Sequence, residues 1–210
     1  MFPLQRVNRR QQTFFCDEDY AAYLELMAER CKDRGVQIWA YCLMPNHVHL
    51  IAVPSSEEGL GQAIGEAHCR YTRRINFRKK WRGYLWQGRF ASFVMDEPYL
   101  LAAARYVELN PVRAGLAMDA ADWPWSSAKA HLSGRDDRLA CAAPLLAMVA
   151  DWRGLLNSAI REEELRDLRK HCHTGRPLGN AMFLDSLERV VGRVLRPRKA
   201  GRPPKLLKHP

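Results

Sequence analysis

The sequence lacks any uncharged apolar run of about 18 residues, so no segment reads as a membrane-spanning helix. Its start, MFPLQRVNRR, has no apolar stretch of the kind that forms a secretory signal. None of its six cysteines (Cys16, Cys31, Cys42, Cys69, Cys141, Cys172) stands in a CxxC pair. Their irregular separations exclude a structural zinc ribbon and suit reduced thiols in a cytoplasm better than a disulfide framework. With 210 residues the chain has room for one well-packed domain and an appendage, and too little for two independent cores.

Acidic residues are missing from two stretches. Seven basic residues lie between Arg70 and Arg82 with no acid among them, and seven more lie between Arg193 and Lys208. The net charge is +10, so the rest of the chain is mildly acidic. A body of one sign with two basic surfaces of the other is suited to a polyanion, and nucleic acid is the natural partner.

What is present reads as an α+β chain. Asp17, Glu18 and Asp19 start a helix whose apolar stripe (Tyr20, Tyr23, Leu24, Met27, Cys31) runs until Gly35. Residues 36–44 and 47–53 are β-rich runs around Pro45-Asn46, a tight hairpin of buried strands. Ser55 to Glu58 opens a second helix with Leu60, Ile64, Tyr71 and Ile75 on one stripe and the basic residues opposite. A short strand is expected over 90–95, then a helix from Asp96-Glu97-Pro98 that ends near Asn110, because Pro111 disfavours helical geometry before it. With a first strand over residues 3–7, the order is a βαββαβ ferredoxin-like antiparallel sheet with an added helix. Asp122 to Ser127 reads as a capped turn and 142–170 as helical. From Arg196 onward Pro, Lys and Arg dominate without hydrophobic periodicity, a disordered tail. These readings divide the chain into 1–118 (sheet domain), 119–195 (helical extension packed on it) and 196–210 (basic tail).

His47 and His49 are two apart in a strand, so both imidazoles leave one face with Cα atoms about 6.6 Å apart. Two imidazoles so placed can share a divalent cation, or can simply be packed histidines. On the helix after Asp96, Tyr99, Ala103, Tyr106 and Asn110 share one face, and Leu100, Ala104 and Val107 form a core stripe. Tyr106 and Asn110, four apart, can converge on one point. Phenols, with pKa near ~10, need a base, metal or local field to act as nucleophiles at neutral pH.

The run Tyr41-Cys42-Leu43-Met44-Pro45-Asn46-His47-Val48-His49-Leu50 resembles the signature of the HUH superfamily, and Arg105 to Leu116 (RYVELNPVRAGL) resembles the nucleophile helix of its single-strand tyrosine transposases. Leu85 to Phe90, Trp123 to Ser127 and the Gly-Arg-Pro-Leu-Gly loop near residue 177 resemble, more narrowly, the REP-associated tyrosine transposases. The resemblance runs from about residue 5 to residue 195. It implies that His47, His49 and Asn110 bind Mg2+ or Mn2+, and that Tyr106 attacks single-stranded DNA beside a short hairpin, leaving a 5′-phosphotyrosine and a free 3′-OH. It also implies a nucleoid-associated protein that works as a monomer, although other single-strand transposases are obligate dimers. Such families open with a fuller first strand and an Arg-Gly turn; Leu4 to Arg9 is shorter here and lacks the glycine, as expected of a truncated start. A histidine-triad hydrolase would need a third histidine where Ile51 stands. A noncatalytic hairpin-binding relative is the rival reading.

DNA-binding candidates are Arg70, Arg73, Arg74, Lys79, Lys80 and Arg89, with Phe77, Trp81, Tyr84, Trp86 and Tyr71 interleaved as base-stacking aromatics. Arg202, in a Gly-Arg-Pro core resembling an AT-hook, would reach a minor groove. His171-Cys172-His173 reads as surface chemistry of no consequence.

Overall fold

In the computed structural model, residues 2–6 are described by their backbone, and residues 12–86, 88, 90–159 and 161–196 are described in full. The chain order is β1 (Phe2–Arg6), α1 (Asp17–Asp33), β2 (Val36–Met44), β3 (His47–Pro54), α2 (Gly59–Lys79), β4 (Ala91–Phe93), α3 (Glu97–Glu108) and α4 (Asn110–Arg113). Then follow α5 (Ala128–Ser133), α6 (Ala143–Leu146), α7 (Trp152–Asn157), α8 (Glu162–Thr174) and α9 (Ala181–Val191). The four strands form one antiparallel sheet in the order β2-β3-β1-β4. This is the ferredoxin-like βαββαβ arrangement expected. The first strand sits between β3 and β4, so the short N-terminal segment contributes to the middle of the sheet.

Strand alternation sorts the side chains into two layers. Val48, Leu50 and Ala52 pack with Tyr41 and Leu43 against α1 and α2. Ile51, Ala40, Cys42 and Met44 face the other way, toward α3 and the C-terminal helices. A register shift between Ile38 and Ala40 reverses the alternation of β2, which lets Ile38 and Tyr41 both join the first layer. The first layer is rich in rings: Phe14 stacks on Tyr20 at 4.4 Å, and Tyr20 stacks on Trp125 at 4.8 Å.

Both sheet edges are covered by segments the sequence presents as irregular. On β2, the backbone of Leu43 donates to Trp125 O, Trp123 Nε1 donates to Leu43 O, and Ser127 N donates to Tyr41 O. On β4, Leu178 makes a parallel bridge to Met95 and donates to Val94 O. Covered edges leave no row of open N–H and C=O groups for another chain.

One expectation is refined and one corrected. Residues 142–170, expected to be helical, are divided among α6, α7 and most of α8, because Asp151 caps a new helix through Gly154 N and Ser158 leaves helical geometry. The core stripe of α3 is wider than Leu100, Ala104 and Val107. Every residue from Ala102 to Glu108 is buried, because the sheet covers one side of the helix and α7 and α8 cover another.

Candidate active site

The hairpin delivers both imidazoles to the layer that holds α3. His49 is 3% exposed and His47 half-buried, their ring centroids 4.8 Å apart and nearly perpendicular. His47 Nδ1 lies 2.7 Å from Asn46 Oδ1; with that oxygen as the acceptor, the imidazole donates through Nδ1 and leaves Nε2 for a ligand. Asn46, which the sequence presents only as a turn residue, thus orients its neighbour's ring.

Asp96 caps α3 by accepting from Tyr99 N, and the helix crosses the sheet so that the Tyr106 ring meets His49 edge to face, 5.6 Å between centroids. One turn on, after the backbone departs from helical geometry at Leu109, Asn110 begins α4 and is 7% exposed. Its Nδ2, a donor, has no hydrogen-bond partner among the described residues, which is unusual for a buried amide; an acceptor such as a phosphate oxygen would satisfy it, whereas a cation would take Oδ1. A residue with no role assigned from sequence completes the cluster. Arg113 lies with its guanidinium 4.1 Å from the centre of the Tyr106 ring and donates to Tyr106 O at 3.3 Å, while remaining exposed. Its spacing of seven from Tyr106, two helical turns, is the signal the sequence offers for it.

The donor set fits a divalent cation. No group of three His, Cys, Asp or Glu side chains able to hold a metal lies among the described residues, so a cation here would rest on His47, His49, the Asn110 amide and water. Two imidazoles and one carbonyl oxygen suit Mn2+ better than Mg2+, which prefers an all-oxygen shell.

The profile of the family described as Transposase IS200 like matches residues 4–110, about half the chain, including the hairpin, Tyr106 and Asn110. The chain belongs to this family. It is 27% identical over 135 residues to a Haemophilus influenzae protein assigned to the REP-associated tyrosine transposases, covering 59% of this chain and 74% of that one. It is 22% identical over 127 residues to the REP-associated tyrosine transposase of Escherichia coli K12, covering 60% and 73%. A solved structure of a REP-associated tyrosine transposase bound to a REP hairpin superposes with TM-score 0.54 at 22% identity, covering 67% of this chain and 83% of that one. At that identity the likeness bears on the fold alone.

The basic candidates do not converge on this cluster. Arg70, Arg73 and Arg74 are exposed on α2, across the sheet from Tyr106, in a groove that also contains Glu25 and Glu29 of α1. Lys79 and Lys80 are nearer. Lys79 Nζ sits 4.3 Å above the Phe15 ring, and the adjoining Phe14 and Thr13 donate from their backbones to Pro45 O, two residues before His47. Of the interleaved aromatics, Phe77 (90%) and Tyr84 (91%) are open and Trp81 partly so, whereas Tyr71 and Trp86 are buried in the core. Arg78 is committed to Asp19, holding both carboxylate oxygens at 2.6 Å. Arg89 and Arg202 lie outside the described residues, as does the AT-hook-like segment. Cys172 is a buried core residue and not surface chemistry; His171 Nδ1 is 2.8 Å from Arg176 O.

Proposed function

We propose that this protein cleaves and rejoins single-stranded DNA beside a hairpin, with Tyr106 as nucleophile and a divalent cation, Mn2+ or Mg2+, held by His47, His49 and Asn110. The observation that carries this reading is the perpendicular contact of the Tyr106 and His49 rings, with the buried Asn110 side chain one turn away. Tyr106 Oη attacks the phosphorus, the P–O3′ bond breaks, and the phenolic proton passes to solvent as the 3′ oxygen takes up a proton. The products are a 5′-phosphotyrosine and a 3′-OH, and because the phosphoester energy is retained the reverse step needs no ATP. A cation at the imidazoles would polarise the phosphodiester and offset charge on its non-bridging oxygens. Arg113, 4.1 Å from the centre of the phenol ring and exposed, would offer N–H groups to a phosphate. The open rings of Phe77, Trp81 and Tyr84, beside Lys79 and Lys80, suit unpaired bases.

Residues 1–118 would supply the chemistry and 119–195 its support. Because α3 is anchored within its own chain by Arg105, which donates to Glu164, Ser158 and Ala159, the nucleophile and the histidines come from one copy, which favours a working monomer. Among the described residues no helix is long and apolar enough to cross a membrane. A protein with this activity meets its DNA in the cytoplasm.

The test mixes the protein with labelled single strands carrying a short hairpin and flanking tetranucleotide, with Mn2+ or EDTA, and resolves the products with and without protease. A Mn2+-dependent, protease-sensitive adduct absent from Tyr106→Phe supports the reading. The second reading, a noncatalytic hairpin binder, is favoured by one observation: Tyr106 is only 9% exposed. Salt-sensitive binding without adduct would establish it.

A further inference from the structure

Glu108 lies two residues after Tyr106 and two before Asn110, so its side chain leaves the opposite side of the helix from both. It is fully buried. A carboxylate in such a place is costly unless every lone pair is used, and here three donors meet it. Ser127 Oγ donates to Oε1 at 2.6 Å, His131 Nδ1 donates to the same oxygen at 2.6 Å, and Trp152 Nε1 donates to Oε2 at 2.9 Å. His131 stacks on Trp152 at 4.4 Å, which fixes both donors in direction.

The network continues into the sheet. Ser127 Oγ, while donating to Glu108, accepts from Tyr41 N at 3.0 Å. Tyr41 and Cys42 of β2 are the register partners of Leu50 and His49 of β3. A chain of short polar contacts therefore runs from the back of the nucleophile helix, through Ser127, to the strand paired with the histidine strand. Nonpolar packing alone would let a helix slide or roll on a sheet at small cost. A buried carboxylate with three directional donors, two from α5 and its N-cap and one from α7, does not.

We propose that Glu108 is a positioning residue that sets the placement of Tyr106 and Asn110 relative to His47 and His49, with Ser127, His131 and Trp152 as its fixed points. This rests on the tyrosine-nucleophile reading above and assigns the C-terminal extension a part in it. Glu108 touches no reacting atom, so its removal acts through geometry, where an ångström of displacement is felt strongly in rate.

The experiment compares wild type with Glu108→Gln, Ser127→Ala and Trp152→Phe in single-turnover adduct formation at saturating hairpin oligonucleotide and Mn2+, alongside hairpin Kd and urea unfolding. Glu108→Gln turns one donor of Trp152 or His131 against an amide N–H, so the adduct rate is expected to fall about ten-fold or more while Kd stays within about two-fold. Ser127→Ala, which keeps the charge and two donors, is expected to fall between it and wild type. If Glu108→Gln does not fold, Ser127→Ala and Trp152→Phe carry the same comparison. An unchanged rate in folded variants overturns the inference, as does a rate that falls only in step with Kd and stability. A wild-type protein that binds the hairpin but forms no adduct overturns the function reading instead, and the inference with it.

Discussion

At the scale of single residues, the cluster around Tyr106 makes Arg113 the most informative position outside the histidines, the tyrosine and Asn110. Its guanidinium lies 4.1 Å from the centre of the phenol ring and the residue is exposed, where a phosphate would arrive. Arg113→Ala is expected to slow adduct formation about ten- to a hundred-fold. Arg113→Lys should recover only part of it, since an ammonium supplies charge without the planar stacking surface. Single-turnover kinetics on one hairpin substrate measure both. His68 gives a residue-level prediction about stability. It is buried, accepts or donates with the Tyr23 hydroxyl at 2.9 Å and stacks on Trp86 at 4.1 Å; burial pushes its pKa down to about 3 from 6.5. The folded state therefore refuses a proton that the unfolded chain accepts below pH 6.5. The contribution of His68 is complete above that pH and is lost as pH falls toward 3, at up to about 1.4 kcal/mol per pH unit. Urea midpoints should decline between pH 6.5 and 5, and His68→Phe should flatten that decline. At Asp19, burial works to raise the pKa, but Arg78 and the Phe15 N–H outweigh it and hold the carboxyl below its ordinary value; its contribution is lost at lower pH and leaves this window to His68.

Among elements, α3 depends on its ends. Asp96 accepts from Tyr99 N at the start of the helix and from Asn180 N across the loop that covers β4. Gly179 beside it has no room for a side chain, because a Cβ would meet Phe183 and the Asp96 carboxylate. Asp96→Ala is expected to cost about 1–2 kcal/mol in chemical denaturation, since the helix cap and the loop tie go together. The hairpin, α1, α2 and α3 are legible in the sequence because each has a period and a punctuation mark: alternation ending at Pro45, a 3.6 stripe ending at Gly35, Pro98 in a first turn. The pairing of His47 with His49 follows from strand alternation, and that of Tyr106 with Asn110 from helical spacing. Trp123 to Ser127 and Gly175 to Gly179 carry no period, so their work as edge covers is not legible; it is done by backbone groups whose partners are some 80 residues away. Glu108 is hidden for a related reason. A carboxylate in an amphipathic pattern reads as solvent-facing, and only the packing of α5 and α7 shows three donors waiting for it. Trp86 reads as open because it follows the basic stretch that ends at Arg82, although its ring fills the space beside His68.

Across the whole molecule, the sheet separates charge from chemistry. The histidines and Tyr106 lie in the layer of α3, whereas Arg70, Arg73 and Arg74 face outward from α2 in the other layer. A hairpin gripped by those arginines has to send its single strand round the end of the sheet, past Phe15, Lys79 and the Pro45 turn, to reach the tyrosine. Their groove is not purely basic, since Glu25 and Glu29 line it too, and Glu25 holds Arg138 at 2.6 Å. If duplex phosphates lie there, replacing Arg70, Arg73 and Arg74 with Gln should weaken hairpin binding and lower the slope of log K against log salt by about 0.9 for each phosphate no longer neutralised. Replacing Glu25 and Glu29 with Gln should do the reverse and tighten binding at low salt, because two like-charged neighbours of the phosphates are gone. Titrations of a labelled hairpin at several salt concentrations measure both changes. Opposite signs for the two sets place the stem in the groove between α1 and α2, whereas no change in either slope leaves the Lys79 and Lys80 end of the sheet as the surface that meets DNA.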